Sequence, residues 1–209
     1  MAVALAAATV TIGGCTSTEA GTPQTTTPGG GGTSGPPPGT ITTAQPGQPT
    51  VAIPPRPKTL PLDNVEPCSL FDSNAQKQLQ ISEEPESRVS TDVYKAKQCM
   101  LNVVTEDIDY SYFVSAITTE GIGAWLDGQR VVVAKLVSVE GYAAVDYYPK
   151  GTGPSNGNAG CSTAVDVADG QQLDVSMRPF GKTGLSQDQE CQMTEKAAAL
   201  AVATLQSAR

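Results

Sequence analysis

The chain has 209 residues, with 21 acidic and 13 basic side chains, a formal charge of −8 and no histidine. Without histidine there is no Ser-His-Asp or Cys-His nucleophile system, no His-ligated zinc or haem and no facial-triad iron. The negative charge argues against a nucleic-acid binder, which needs lysine and arginine at the phosphates, and no apolar run reaches the roughly 18–20 residues of a membrane span.

Residues 1–14 predict a signal peptide. They are uncharged, rich in alanine and valine, and apolar on every side, which is typical of the hydrophobic region of a secretory signal. No basic residue precedes this region, which suggests a start upstream of Met1. The boundary that follows, Ile12-Gly13-Gly14-Cys15, resembles a bacterial lipobox.

The lipobox resemblance implies that Cys15 is lipidated and becomes the first residue of the mature protein. In such signals the thiol receives a diacylglyceryl group and the preceding peptide bond is cut, so acyl chains such as palmitate hold the protein on the membrane. Two chains anchor stably where one does not. The alternative is a plain signal peptide with an incidental cysteine.

Residues 15–59 comprise this cysteine and a predicted tether. Of the 44 residues from Thr16 to Thr59, 30 are Thr, Pro or Gly. Such a segment buries too little apolar surface to offset the loss of chain entropy, so we expect a disordered spacer. A proline-motif ligand and an O-glycosylated stalk are the alternatives.

Residues 60–209 are expected to form one acidic domain, of ordinary size. Once Glu19, Arg56 and Lys58 of the leading segment are set aside, 20 acidic and 11 basic residues remain, which gives the domain a charge of −9.

The first half of this domain predicts a short helix and several strands. Asp72 or Ser73 is suited to cap a helix at 74–80, and the polar residues 82–97 predict a loop with a strand near Val93. Residues rich in β-branched and aromatic side chains predict further strands at 99–104, 110–118 and 141–148. A turn is expected at 105–109, a helical turn at 121–127 and a loop at 151–160, whereas 130–139 fits either a helix or a strand.

The second half carries the clearest local signals. Apolar and polar residues alternate on both sides of Asp169-Gly170, a pattern that predicts a β-hairpin. Ser186 and Gln189 form a capping box that opens the last helix, on which Cys191, Ala198, Ala201 and Leu205 share one face. We therefore predict an α+β fold: an antiparallel sheet with the short N-terminal and longer C-terminal helices packed on one face.

Four cysteines remain after export, namely Cys68, Cys99, Cys161 and Cys191. An even number in an oxidising compartment predicts two disulfides, and their wide spacing argues against a zinc site. Three pairings are open. We favour Cys68–Cys99 and Cys161–Cys191, because each bond would join a helix to a strand.

The order of these features resembles a known family. Residues 67–71 (PCSLF) open a short helix, Cys99 starts a strand, 139–145 read VEGYAAV, and Cys161 and Cys191 fall in a strand and an alanine-rich last helix. This combination is similar to the DUF3558 lipoproteins of actinobacteria. The resemblance implies an extracytoplasmic location and disulfides but no assigned activity, and analogy with envelope lipoproteins and kinase sensor domains suggests ligand or partner binding.

Two acidic clusters are candidate sites. Glu83, Glu84 and Glu86 could supply paired carboxylates for acid-base catalysis, but a polar acidic loop is usually only solvated. Glu106, Asp107 and Asp109 could bind calcium through oxygen ligands, yet the glycine and the distal glutamate of a calcium loop are missing. We therefore predict no catalytic residue, no metal and no cofactor, and no Ser-x-x-Lys pair occurs.

Tyrosines are the candidate ligand-lining residues. Tyr110 and Tyr112 lie on one predicted strand and Tyr142 and Tyr147 on another, which we expect to be adjacent. Their rings could line an amphipathic cleft for an apolar or carbohydrate ligand, and the alternative is ordinary packing in the sheet.

These features predict a non-catalytic binding module on the outer face of the cell membrane. The diacylglyceryl anchor on Cys15 would hold it there, and the acidic domain would bind an envelope protein or a small ligand, but no nucleic acid. The alternatives are a carboxylate-dependent envelope hydrolase and a purely structural wall component.

Overall fold

A computed structural model describes residues 51–106, 108–152, 159–180 and 184–208. The predicted signal peptide, Cys15 and most of the predicted tether lie outside the described residues, as do Asp107 and most of the loop predicted at 151–160. Within the described ranges, no helix combines the length and the apolar character needed to cross a membrane.

The described residues form an antiparallel sheet with helical segments on both faces. The strands are β1 (Glu86–Val89), β2 (Lys97–Val104), β3 (Asp109–Ile117), β4 (Val132–Val139), β5 (Tyr142–Pro149), β6 (Ser162–Ala168) and β7 (Gln171–Pro179). Their order across the sheet is β1-β2-β3-β7-β6-β5-β4. The helical segments are a 3-10 helix (Pro67–Leu70), α1 (Ser73–Gln78), α2 (Gly123–Leu126) and α3 (Gln187–Ser207).

The main core lies between one face of the sheet and the helices α1 and α3. The predicted capping box is present, since Ser186 accepts from the Gln189 N–H and the Gln189 side chain accepts from the Ser186 N–H. Ala198 and Ala201 are fully buried, and their small side chains let α3 lie close to the strands. The short helix adds Leu79 to the same cluster. The predicted fold class is thus confirmed.

Both favoured disulfides are confirmed. Cys68 in the 3-10 helix bonds to Cys99 in β2, and Cys161, directly before β6, bonds to Cys191 in α3. They close segments of 31 and 30 residues. Restricting the unfolded chain over loops of this length stabilises the fold by roughly 3–4 kcal/mol per bond.

The structure corrects the prediction at the first strand. β1 covers Glu86–Val89, within the segment predicted as a loop, whereas the strand predicted near Val93 is wrong because this residue lies in a turn. β1 has three polar residues and is mostly exposed, so it lacks the apolar alternation of an ordinary strand; it forms because it pairs with β2. Residues 130–139, left open between helix and strand, contain β4.

Ordered contacts begin before residue 60, where the composition places the start of the domain. Residues 53–59, here called the strap, lie against the sheet. Ile53 packs against the apolar cluster under α2. Both Asp166 carboxylate oxygens accept hydrogen bonds from Arg56 Nη1, at 2.8 and 2.7 Å. Leu60 N–H, just after the strap, donates to the Val167 carbonyl oxygen at 2.7 Å. These contacts hold the strap against the sheet, although its composition resembles that of a spacer.

The opposite side of the sheet, here called the open face, is only partly covered. Over part of it, Leu126 of α2 and the preceding residue Ile122 pack on Ala143, Val145 and Ala164 of β5 and β6. The remaining part, over β1, β2, β3 and β7, carries polar side chains and forms the floor of a cleft.

Candidate functional site

The cleft on the open face has a volume of about 650 Å³. Its floor comes from strands of the sheet, and its walls come from the β1–β2 loop, α2 and the end of β5. The lining residues used below are Arg88, Asp92, Tyr94, Gln98, Phe113, Ser115, Trp125, Tyr147, Ser162, Asp174, Ser176 and Arg178.

The alternation of β7 explains why this floor is polar. Leu173, Val175 and Met177 point into the core and are no more than 1% exposed. Because successive side chains of a strand point to opposite faces, the residues between and after them, Asp174, Ser176 and Arg178, lie on the open face. The same hairpin that anchors the core therefore supplies the polar part of the cleft.

An aromatic pair forms one wall of the cleft. The rings of Trp125 and Tyr147 stack with their centroids 3.6 Å apart and an interplanar angle of 16°, and the Arg130 guanidinium lies 4.0 Å from the Trp125 ring centroid on a cation–π contact. The Trp125 indole N–H donates to Gln172 Oε1 at 2.7 Å. These contacts fix the wall in one orientation.

Three polar side chains hold the β1–β2 loop against this wall. Arg130 donates to the Tyr94 hydroxyl at 2.8 Å and to Glu120 at 2.6 Å, and the Tyr94 hydroxyl donates to the same Glu120 oxygen at 2.6 Å. Burial, with the Glu120 hydrogen bond, raises the pKa of Tyr94 to about 12. Tyr94 therefore stays a neutral donor near pH 7.

Asp174 is the buried carboxyl group of the cleft. It is 7% exposed, and the Tyr147 hydroxyl donates to its Oδ1 at 2.8 Å. Burial raises the pKa of Asp174 to about 7, although the Tyr147 hydrogen bond and the charges of Arg178 and Arg130 act in the opposite direction. Near neutral pH, both the protonated and the ionised forms are therefore populated.

Two arginines stand on the other side of the cleft. The Arg88 guanidinium lies 5.8 Å from the centroid of the Phe113 ring, and Arg178 is exposed on β7. Between Arg88 and Asp174 in the strand register, the Gln98 amide donates to Ser115 Oγ at 2.9 Å. The cleft thus offers cationic, amide and hydroxyl groups beside an aromatic wall.

Comparison with known proteins gives the family. The chain matches the family described as "Protein of unknown function (DUF3558)" over residues 10–204. It belongs to the DUF3558 family. No curated protein and no solved structure matches the chain.

Only one of the four tyrosines proposed as ligand-lining residues reaches the cleft of this DUF3558 chain. Tyr147 lines it, whereas Tyr110, Tyr112 and Tyr142 are buried in the main core on the opposite face. The expected adjacency is wrong, because β7 and β6 separate β3 from β5. Burial raises the pKa of Tyr112 well above its ordinary range, as fits a core residue.

The acidic clusters lie away from the cleft. Glu83 and Glu84 are exposed, and Glu83 accepts a hydrogen bond from Asn102 at 2.6 Å. Asp109 accepts from the Thr105 N–H at 3.2 Å, which is a contact within its own turn, while Asp107 is outside the described residues. Among the described residues, no group of three or more acidic or cysteine side chains is placed to hold a metal ion.

A second buried carboxyl, Asp146, lies on the helix-covered face of the DUF3558 domain. The Thr163 hydroxyl donates to it at 2.8 Å, and Thr163 also bonds to Thr194 of α3 at 2.7 Å. Burial and the nearby Glu195 raise the pKa of Asp146 to about 7. This group joins the sheet to α3 and is remote from the cleft.

Sequence reasoning missed most of the cleft residues. It treated Trp125 only as part of a helical turn and gave no role to Arg88, Asp174 or Arg178. A signal for two of them was present, because the polar positions of the predicted hairpin, Asp174 and Arg178, had to face away from the core. That surface forms a cleft only because α2 and the β1–β2 loop stand beside it. No sequence pattern within these two segments predicts where they pack.

Proposed function

We propose that this protein is a lipid-anchored, extracytoplasmic binding module that holds a small polar ligand, or a polar group of a partner, in the cleft on the open face. The observation that carries this proposal is the combination of a rigid aromatic wall, Trp125 and Tyr147, with a floor of hydroxyl, amide and charged groups.

The dimensions and placement of the cleft support binding. A volume of about 650 Å³ lies within the range of roughly 300–1,000 Å³ that small-molecule sites occupy. Most lining residues stand on strands, and strands hold side chains more accurately than loops do. The hydrogen bonds of Tyr94 and Gln98 order the walls before any ligand arrives, which lowers the entropic cost of binding.

The location is supported by the sequence and the disulfides together. The lipobox-like boundary ends at Cys15, and membership of the DUF3558 family agrees with the family resemblance seen in the residues. Two disulfides are typical of proteins outside the cytoplasm. The membrane, through the diacylglyceryl group, is the first partner in this proposal, and an envelope protein or a free ligand is the second.

A carboxylate-dependent hydrolase is the second candidate, and one observation favours it. Asp174 and Asp92 line the same cleft, and a carboxyl with a pKa of about 7 is suited to donate a proton to a leaving group near neutral pH. Recovery of a bound probe in cleaved form, lost in Asp174→Asn, would favour this alternative over binding alone.

The binding proposal is tested with a variant that fills the cleft. Ser176 is half-buried on the floor, so we expect Ser176→Phe to block the cleft, while Ala203→Phe on the exposed side of α3 serves as the matched control. Saturation-transfer NMR with a panel of monosaccharides, amino acids and nucleosides measures binding to the intact chain. We expect one class of probe to bind the wild type and Ala203→Phe but not Ser176→Phe. Equal signals for all three proteins would refute a role for the cleft.

A further inference from the structure

We propose that the cleft contains an oxyanion subsite made by Arg88 and Arg178, so that its ligand is a small hydroxylated molecule bearing a carboxylate or a phosphate group. This inference rests on the proposed function and names the chemical class that the same cleft takes.

Arg88 and Arg178 both line the cleft, although the strand register places them in different rows of the sheet. Arg88 is paired with Gln98 across β1 and β2, and Phe113 is paired with Ser176 across β3 and β7. Arg88 nevertheless lies over the Phe113 ring, so its side chain reaches across β2 towards β3. Arg178 follows Ser176 by two residues on the same face of β7, and therefore stands diagonally across from Phe113.

The described arginines differ in whether they form ion pairs. Arg56 and Arg130 each form ion pairs with carboxylates of this chain. By contrast, no described carboxylate lies within 4 Å of the Arg88 or Arg178 guanidinium. Two of the four described arginines are thus unpaired, although the domain has 20 acidic and only 11 basic residues.

The two acids of the cleft are already engaged by neutral donors. Asp92 accepts from the Ser90 hydroxyl at 2.8 Å and from the Tyr94 N–H at 3.0 Å, while Asp174 accepts from Tyr147. Neither is bonded to Arg88 or Arg178. Neither guanidinium thus has a carboxylate partner at salt-bridge distance among the described residues. Both can pair with a ligand, and a planar guanidinium suits a carboxylate or phosphate in particular.

The rest of the cleft specifies the body of the ligand. Ser162 and Ser176 place hydroxyl groups on the floor, and Trp125 with Tyr147 supplies an apolar wall. Hydroxyl partners and an aromatic surface together favour a polyol ring over a purely apolar molecule. Sugar acids and sugar phosphates share this chemistry.

Fluorescence of the intact chain provides the test, because Trp125 is its only tryptophan. The probes are glucuronate, glucose 6-phosphate and neutral glucose. We expect at least one anionic probe to bind about tenfold more tightly than glucose, with an affinity that falls as sodium chloride is raised. The anion that binds distinguishes a carboxylate subsite from a phosphate subsite.

Arginine variants locate the subsite. Arg88→Gln and Arg178→Gln should each weaken binding of the anion by about fivefold to tenfold and leave the affinity for glucose within about twofold. Lys77→Gln, which removes an exposed cation on the other side of the molecule, is the matched control and should leave both unchanged. Circular dichroism confirms that each variant is folded.

Two results would overturn the oxyanion subsite. One is an absence of any response to both anions, and the other is equal affinity for anions and glucose, with Arg88→Gln and Arg178→Gln behaving like the wild type. If glucose or another neutral probe still binds and Ser176→Phe abolishes that binding, the binding function stands and only the subsite fails. If Ser176→Phe changes nothing for any probe, the binding function fails as well.

Discussion

Asp174 lies on the polar open face of the sheet and is nevertheless buried. The alternation of β7 directs its side chain away from the main core, but Tyr147 and the elements above the open face then bury it to 7% exposure. Burial in low dielectric penalises the ionised form more than the Tyr147 hydrogen bond stabilises it, so the pKa rises to about 7. The residue can therefore accept or donate a proton under ordinary conditions.

This raised pKa predicts the pH dependence of stability. Between about pH 4 and pH 7 the folded protein binds a proton at Asp174 that the unfolded chain has released, so the free energy of unfolding falls as the pH rises through this window and levels off above it. Asp146 acts with the same sign. Urea unfolding of the wild type and Asp174→Asn at pH 5 and pH 8 measures the effect.

We expect the wild type to lose stability between these pH values, by roughly 2–3 kcal/mol for each of the two groups. Asp174→Asn, which cannot ionise, should lose less. Glu84→Gln removes an exposed carboxylate and should follow the wild type. A loss in Asp174→Asn as large as that in the wild type would contradict the assignment.

At the scale of elements, sequence and structure agree where the signals are local. The capping box at Ser186 and the Asp169-Gly170 turn each act within a few residues, so α3 and the β6–β7 hairpin were predictable. β1 was not, because its polar residues become a strand only through pairing with β2. The strand order likewise depends on β3 pairing with β7, a contact between segments far apart in the chain.

The strap shows how composition can conceal an element. Its three prolines resemble the proline-rich composition of the preceding residues, yet Ile53 and Arg56 bind it to the sheet. The Arg56 side chain is 19% exposed and that of Asp166 is 11% exposed, so their ion pair is largely shielded from solvent. Arg56 also pairs with Asp169 at the hairpin turn.

Removing Arg56 should therefore loosen the strap. In Arg56→Ala the half-shielded Asp166 carboxylate loses its cationic partner, and we expect a cost of about 1–3 kcal/mol in the free energy of unfolding. Lys97→Ala breaks the exposed pair of Lys97 with Glu66 and should cost under about 1 kcal/mol. Urea unfolding measures the loss of stability in each variant, and the rate of protease cleavage within residues 53–59 measures loosening of the strap. Equal losses in the two variants would contradict a stabilising role for the Arg56–Asp166 pair.

At the scale of the whole molecule, the candidate site was the part least accessible to sequence reasoning. Arg88, Trp125 and Asp174 come from three separate elements and share no motif. They meet because strands that are far apart in the chain pair with each other in the sheet. Tyr112, which the sequence suggested for a cleft, packs instead in the main core. The fold class, in contrast, followed from patterns that each element carries by itself.

The proposed anchor makes a prediction for the intact protein in cells. Two acyl chains on Cys15 should hold the wild type in the membrane fraction, from which non-ionic detergent releases it. Cys15→Ser removes the only acceptor thiol at the lipobox-like boundary, so the protein should appear in the soluble fraction. Ser17→Ala, two residues away, is the control and should remain with the membrane. Sedimentation of Cys15→Ser with membranes would contradict lipid anchoring.

The strand order also leaves β4 at the border of the sheet, where within the described chain no strand pairs with its outer side. The outward-facing backbone groups of this eight-residue strand, beside the exposed Val131 and Val133, resemble a template for edge-to-edge aggregation between copies. Lys135 is exposed near the middle of this border. Bringing two such edges together would place two hydrated ammonium groups opposite each other, so a single lysine discourages self-association where copies are crowded.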